Sequence, residues 1–142
     1  MGALTDATVR AMVAAARAAS DRAYCPYSRF RVGAAVLTEE GAIVAGCNVE
    51  NASYGLTICA ERSAVFQAVA GGQAMIRGVV IFTPTPEPTA PCGACRQVLN
   101  EFGPVAEVIS VCDGPGVIRT TVAELLPDAF GPRNLEPSRS GA

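Results

Sequence analysis

The 142-residue sequence contains no histidine and no tryptophan, and all 11 of its basic residues are arginine, so lysine is missing as well. Each absence removes chemistry. Without histidine there is no Ser-His-Asp triad, no Cys-His protease pair and no His-Glu-x-x-His zinc site. Without lysine there is no P-loop lysine, no kinase lysine and no Schiff-base anchor. Any general acid or base must be a carboxylate, cysteine or tyrosine, and a transition metal would have to lean on thiolates. Charge is scarce too, at 17% of residues with a net charge of −2. The arginines form no basic stripe of the kind that binds a polyanion, which argues against nucleic acid as a partner. No uncharged run approaches the length of a membrane span, and Asp6, Arg10 and Arg17 interrupt the alanine-rich start where a signal peptide would be apolar. No membrane partner is expected, and the cytoplasm is the expected compartment.

What remains is a globular composition. Half of the residues are hydrophobic, and a chain of this length buries roughly two-thirds of its unfolded surface. One domain over residues 1–132 is expected, with a loosely ordered tail over 133–142. Six cysteines are present: Cys25, Cys47, Cys59, Cys92, Cys95 and Cys112. In a chain without an export signal these are read as reduced thiols, and the Cys-x-x-Cys pair at 92 and 95 then points to metal or redox chemistry. Cys25, Cys47 and Cys112 lie on or beside apolar runs and are read as core.

The hydrophobic pattern predicts the elements. Thr5 or Thr8 caps a helix whose apolar positions Val9, Met12, Val13 and Ala16 recur at helical spacing. Strands over about 32–37 and 43–47 flank Glu39-Glu40-Gly41 as a hairpin. A second helix carries Val65, Phe66 and Val69 and stops at Gly71-Gly72. A buried strand covers 79–82, and a proline-rich loop leads into a third helix with Cys95, Val98, Leu99 and Phe102 as its stripe. Strands near 108–112 and 117–119 follow, then a short helix with Thr121 and Glu124 as a capping box. Alternating strands and helices imply parallel crossovers and an α/β fold, a five-stranded mixed sheet between helical layers. The last two strands are joined by about four residues, too few for a parallel crossover, so that pair is antiparallel.

The chemistry is concentrated at two helix starts. Cys59-Ala60-Glu61-Arg62 opens the second helix and Pro91-Cys92-Gly93-Ala94-Cys95 opens the third. Helix N-termini favour thiolate over thiol, and parallel crossovers bring both starts to one sheet edge. Three converging thiolates suit one Zn²⁺ per chain, and three protein ligands leave a fourth position open, as in catalytic sites. Glu61 is placed to move protons to and from a zinc-bound water. Three thiolates on a divalent ion carry excess negative charge, which Arg62 can draw off by hydrogen-bonding the sulfurs.

Cys-Ala-Glu-Arg followed by Pro-Cys-Gly-Ala-Cys-Arg-Gln resembles the zinc-dependent cytidine deaminases in their small-subunit, three-cysteine form. The segments 24–30, 46–51 and 125–132 resemble the same family. The resemblance implies a three-layer α/β/α fold and a homotetramer with active sites shared between subunits. It implies attack of zinc hydroxide on C4 of free cytidine or 2′-deoxycytidine, with Glu61 protonating N3 and then the leaving ammonia, in pyrimidine salvage. It further implies that Asn48 and Glu50 hold the ribose hydroxyls, that Phe30 flanks the nucleoside, and that the Ala60 N–H binds the pyrimidine O2. Tyr54 and Phe130 are implied to serve a site shared with a neighbouring subunit. Two other readings stand beside this one: a deaminase of a blasticidin-type nucleoside antibiotic, and a non-catalytic zinc or thiol module. The second needs a fourth ligand that no histidine supplies.

Overall fold

The structure, a computed structural model, describes residues 3–136. Helix α1 spans Asp6–Ser20, and its N-cap is Thr5, whose hydroxyl accepts from the Thr8 N–H at 3.2 Å. Met12 and Ala16 of its apolar stripe are fully buried. Strands β1 (Gly33–Thr38) and β2 (Ile43–Cys47) form the hairpin. Helix α2 spans Ala60–Ala70, β3 Ile76–Thr83, α3 Gly93–Phe102, β4 Glu107–Cys112, β5 Ile118–Thr121 and α4 Val122–Leu125.

The sheet order is β2-β1-β3-β4-β5. Strand β1 is antiparallel to both β2 and β3, β3 is parallel to β4, and β4 is antiparallel to β5. The expected five-stranded mixed sheet with an antiparallel final pair is therefore present. Side chains alternate between its faces. On one face α1 covers Ala35, Leu37, Val80, Phe82 and Ile109; on the other, α2 and α3 cover Ala34, Val36, Val79, Ile81 and Val108. The result is the three-layer α/β/α arrangement.

Register places the chemistry. Gly33 pairs with both Cys47 and Phe82, and Thr83 pairs with Cys112. The C-terminal ends of β2, β3 and β4 thus share one edge, from which α2 and α3 both depart. Two glycines let the helices lie close there. A Cβ on Gly33 would meet the Ala16 carbonyl oxygen at 1.8 Å, and one on Gly46 would meet the Ala64 nitrogen at 2.5 Å.

Three local expectations change. Phe66 is 46% exposed while its neighbour Val65 is fully buried, because the inward face of α2 is the Ala60, Glu61, Ala64, Val65, Ala68 stripe. The capping box at Thr121 is half made. The Thr121 hydroxyl accepts from the Glu124 N–H, but Thr121 still pairs with Glu107 in the sheet, and the Glu124 carboxylate takes the Thr120 hydroxyl instead. The start of the expected loose tail is also ordered: Pro132–Leu135 form a 3-10 turn closed by the Gly131 N–H to Asn134 Oδ1 bond at 2.8 Å. The rest of that tail, 137–142, lies outside the described residues.

Candidate metal centre

Cys59 is the N-cap of α2 and Cys92 the N-cap of α3; both have extended backbone, and neither side chain caps a backbone N–H of its own helix. Both thiols are therefore free to turn to a common point. Cys95, one turn into α3, is fully buried beneath them. The three Sγ atoms lie within 4.8 Å of one another, and Cys59 and Cys92 are 3.9 Å apart. Zinc–sulfur bonds of about 2.3 Å in a tetrahedron give sulfur–sulfur edges of about 3.8 Å. The cluster fits such an ion, and among the described residues these three form the candidate ligand set. The donor chemistry agrees, since soft thiolates select zinc over magnesium or calcium.

The electrostatics are those of a prepared cation site. The Cys95 thiol, Arg62 and the Cys92 thiol bond toward Cys59 and hold its pKa down to about 5 against the opposing effect of burial. Cys95, which supplies that hydrogen bond and is itself buried, is pushed upward. Arg62 Nη2 donates to Cys59 Sγ at 3.2 Å, which strengthens its hold on its own proton. Its Nε, also buried, has no partner among the described residues. Arg62 is therefore placed to withdraw charge from the thiolate set. Arg62→Ala is expected to weaken zinc affinity about tenfold, the lower end for a residue that supports a ligand, with little change in the melting temperature of the metal-free protein. Chelator competition measures it, and wild-type affinity would return Arg62 to the class of ordinary surface arginines.

Glu61 is 5% exposed beside this cluster. Burial, and after it the negative charge of Cys59, raise its pKa above the ordinary carboxylate value, against the pull of its backbone N–H and the Cys95 thiol. A carboxyl raised toward neutrality is suited to accept and return a proton. Ala60 is the first residue of α2, so its N–H has no acceptor inside the helix.

The remaining predicted residues form an outer group on the adjoining loops. Val49 bridges both Tyr24 and Ile58, which sets the Glu50 segment beside the strand-like residue preceding Cys59. Glu50 Oε1 accepts from the Tyr27 and Ser28 N–H groups at 2.9 and 3.1 Å. The Ser28 hydroxyl, followed by these backbone groups, lowers its pKa, which favours the ionised carboxylate. Tyr27, Ser28, Glu50, Tyr54 and Thr57 line a cavity of about 230 Å³. Tyr27 and Tyr54 face each other there with ring centroids 5.7 Å apart. Neither Tyr27 nor Ser28 was given a role in the sequence; their signal is membership of segment 24–30, one of those that resemble the family.

Asn48 is placed differently from a free ligand contact. It is buried, with Oδ1 accepting from the Val32 N–H at 2.9 Å and Nδ2 donating to the Phe30 carbonyl at 2.7 Å. Its amide holds the Phe30 loop against the sheet and keeps one N–H in reserve. Phe30, Tyr54 and Phe130 are 41%, 74% and 58% exposed, so none is core. Arg96 braces the metal-side loop, with Nε donating to the Pro91 carbonyl at 2.8 Å. Cys25 and Cys112 are buried as expected, while Cys47 is only partly so.

A larger depression, about 600 Å³, lies at the opposite sheet edge among Arg77, Glu107, Arg119 and Glu124. Its charges offset one another, and it contains no thiol. No helix among the described residues is long and apolar enough to cross a membrane.

Known proteins resemble this chain in sequence and in fold. Residues 7–112 match the family described as the cytidine and deoxycytidylate deaminase zinc-binding region. The sequence is 44% identical over 128 residues to the cytidine deaminase of Sporosarcina psychrophila, covering 89% of this chain and 94% of that one. It is 48% identical over 113 residues to the cytidine deaminase of Halalkalibacterium halodurans, covering 79% and 86%. The crystal structure of cytidine deaminase from Burkholderia pseudomallei superposes with a TM-score of 0.83 at 48% identity, over 89% of this chain and all of that one.

Proposed function

The chain belongs to the cytidine and deoxycytidylate deaminase zinc-binding family, and on that premise we propose that it hydrolyses free cytidine and 2′-deoxycytidine to uridine and 2′-deoxyuridine plus ammonia. The observation that carries the reading is the buried carboxyl of Glu61, its pKa raised, set against three thiols within 4.8 Å of one another. Cys59, Cys92 and Cys95 hold one zinc in this reading, and that ion, when bound, supplies a Lewis acid that acidifies water toward neutral pH.

The protein's own groups do the rest. Glu61 accepts a proton from water as its oxygen adds to C4, and passes that proton to N3. It then carries the proton of the new hydroxyl to the 4-amino nitrogen, so that the C4–N bond breaks, ammonia leaves and a C4 carbonyl remains. The Ala60 N–H binds the pyrimidine O2. The carboxylate of Glu50 and the spare N–H of Asn48 take the ribose hydroxyls, and Phe30 flanks the nucleoside.

The site is shared between copies in this reading. The cavity at Glu50 is smaller than the roughly 300–1,000 Å³ usual for small-molecule sites, and Tyr54 and Phe130 are largely exposed. We take residues 1–132 as one catalytic domain, assembled as a homotetramer in the cytoplasm and serving pyrimidine salvage, with each site completed by Tyr54 and Phe130 of neighbouring copies. Ending the chain after Pro127 is expected to raise KM and loosen the oligomer together, read by steady-state kinetics and sedimentation. A truncated chain with wild-type KM would place the whole site within one copy.

A substrate panel tests the activity itself, with ammonia release as readout. Cytidine and 2′-deoxycytidine are expected to turn over, and cytosine, adenosine and single-stranded DNA are not. Turnover of a blasticidin-type nucleoside without turnover of cytidine would overturn the assignment.

A further inference from the structure

Helix α3 has a second job built into the residues that follow its cysteines. Arg96 reaches two backbone carbonyls at once, with Nε on Pro91 at 2.8 Å and Nη1 on Leu125 at 3.1 Å. Gln97 Nε2 donates to the Phe130 carbonyl at 2.8 Å, and Asn100 Nδ2 donates to the same oxygen at 3.4 Å. Pro91 is buried and immediately precedes Cys92, so the first of these bonds fixes the turn that sets the position of the Cys92 sulfur.

The other end of each bond is a segment that leaves the core: Val122 is buried and Leu125 packs against the core, whereas Phe130 beyond them is exposed. Helix α4 has only four residues, too few to be stable alone, and its last carbonyls, Leu125 among them, have no acceptor role inside the helix. Beyond it, Asp128 takes a positive φ of 51° and the chain turns back toward α3. Phe130 itself is largely exposed, so its place is set through its backbone carbonyl rather than by burial of its ring. The planar guanidinium, with donors fixed along different edges, is suited to span two carbonyls in this way.

We infer that Arg96 is a positioning residue that ties the Pro91–Cys92 turn to the Leu125–Phe130 segment, so that metal binding and the order of that segment are linked through α3. The inference rests on the proposed ligand role of Cys92 and Cys95. Linkage between two binding or ordering equilibria is reciprocal: zinc in the thiol cluster steadies residues 126–131, and loosening those residues speeds the loss of zinc. The same helix thereby carries metal occupancy to the exposed ring of Phe130.

The test measures zinc release to a chromogenic chelator, and amide exchange over 126–131, in the zinc-loaded protein. Metal analysis of the wild-type protein comes first, and finding no zinc there would remove the ligand reading itself. Arg96→Met is expected to release zinc about tenfold faster and to exchange faster over 126–131, with Arg96→Lys, which can reach one carbonyl, falling between. Gln97→Ala is the sharper arm, because Gln97 is exposed and its side chain, among the described residues, bonds to Phe130 alone. It is expected to raise exchange over 126–131 and to speed zinc release about twofold. Wild-type zinc release in Arg96→Met would overturn the positioning role. Raised exchange in Gln97→Ala with wild-type zinc release would overturn the coupling. Should Arg96→Met fail to fold, Arg96→Lys and Gln97→Ala decide the matter.

Discussion

Glu61→Gln is expected to lower kcat by about a thousandfold or more while the protein keeps its zinc and its fold. The size follows from the role, since a positioned proton carrier contributes about 10²–10⁴ in rate and Glu61 is asked to serve two successive transfers. Glutamine has nearly the same shape and can still hydrogen-bond, so what is removed is the ability to accept a proton. Stability should not suffer. Glu61 is buried and burial already disfavours its charged form, so a neutral side chain of the same size relieves a desolvation cost. The outcome is thus a split, with turnover lost but metal content and melting temperature held. A rate within tenfold of wild type would remove Glu61 from the mechanism.

Removal of zinc is expected to abolish turnover, and added zinc is expected to restore it. The metal-free chain should still fold, because its two cores are apolar and lie on either face of the sheet, apart from the thiols. Its melting temperature should nevertheless fall by about 10 °C: an ion present at a thousand times its dissociation constant contributes about 4 kcal/mol, and each kcal/mol is worth roughly 3 °C in a chain of this size. A chemical readout accompanies the thermal one. With its pKa held near 5, Cys59 is a thiolate at neutral pH in the metal-free protein and should be the first cysteine alkylated, whereas zinc should protect it. Full activity in demonstrably zinc-free protein would sink the metal reading, and alkylation of Cys92 or Cys95 ahead of Cys59 would contradict the charge distribution described here.

Much of this was legible in the sequence because it depends on short-range pattern. Val9, Met12 and Ala16 recur at helical spacing, and the helix lies over them. The turn between Cys112 and Ile118 is too short for a crossover, and the last two strands pair antiparallel. The thiol cluster was legible for a related reason, since a Cys-x-x-Cys at one helix start and a lone cysteine at another converge once both crossovers leave the same sheet edge. What escaped are bonds between segments distant in the chain. Nothing near Asn48 shows that its amide will be divided between Val32 and Phe30, 16 and 18 residues away. Nothing near Arg96 shows that it will meet Leu125, 29 residues on. The half-made capping box at Thr121 is a similar case, because a local motif yields there to sheet pairing with Glu107.

Two of the four α-helices among the described residues begin on a side chain that leaves its helix's first backbone N–H groups uncapped. Thr5 and Thr121 cap α1 and α4 with hydroxyl bonds, whereas Cys59 and Cys92 leave α2 and α3 without one. Serine or aspartate at those two positions would add about 0.5–2 kcal/mol each, in a chain whose whole margin of stability is of order 5–15 kcal/mol. The two uncapped starts are therefore a sacrifice confined to the place where the chemistry sits. The metal-free chain lacks that capping energy at both starts, and an ion bound between the two cysteines would return stability at the same place.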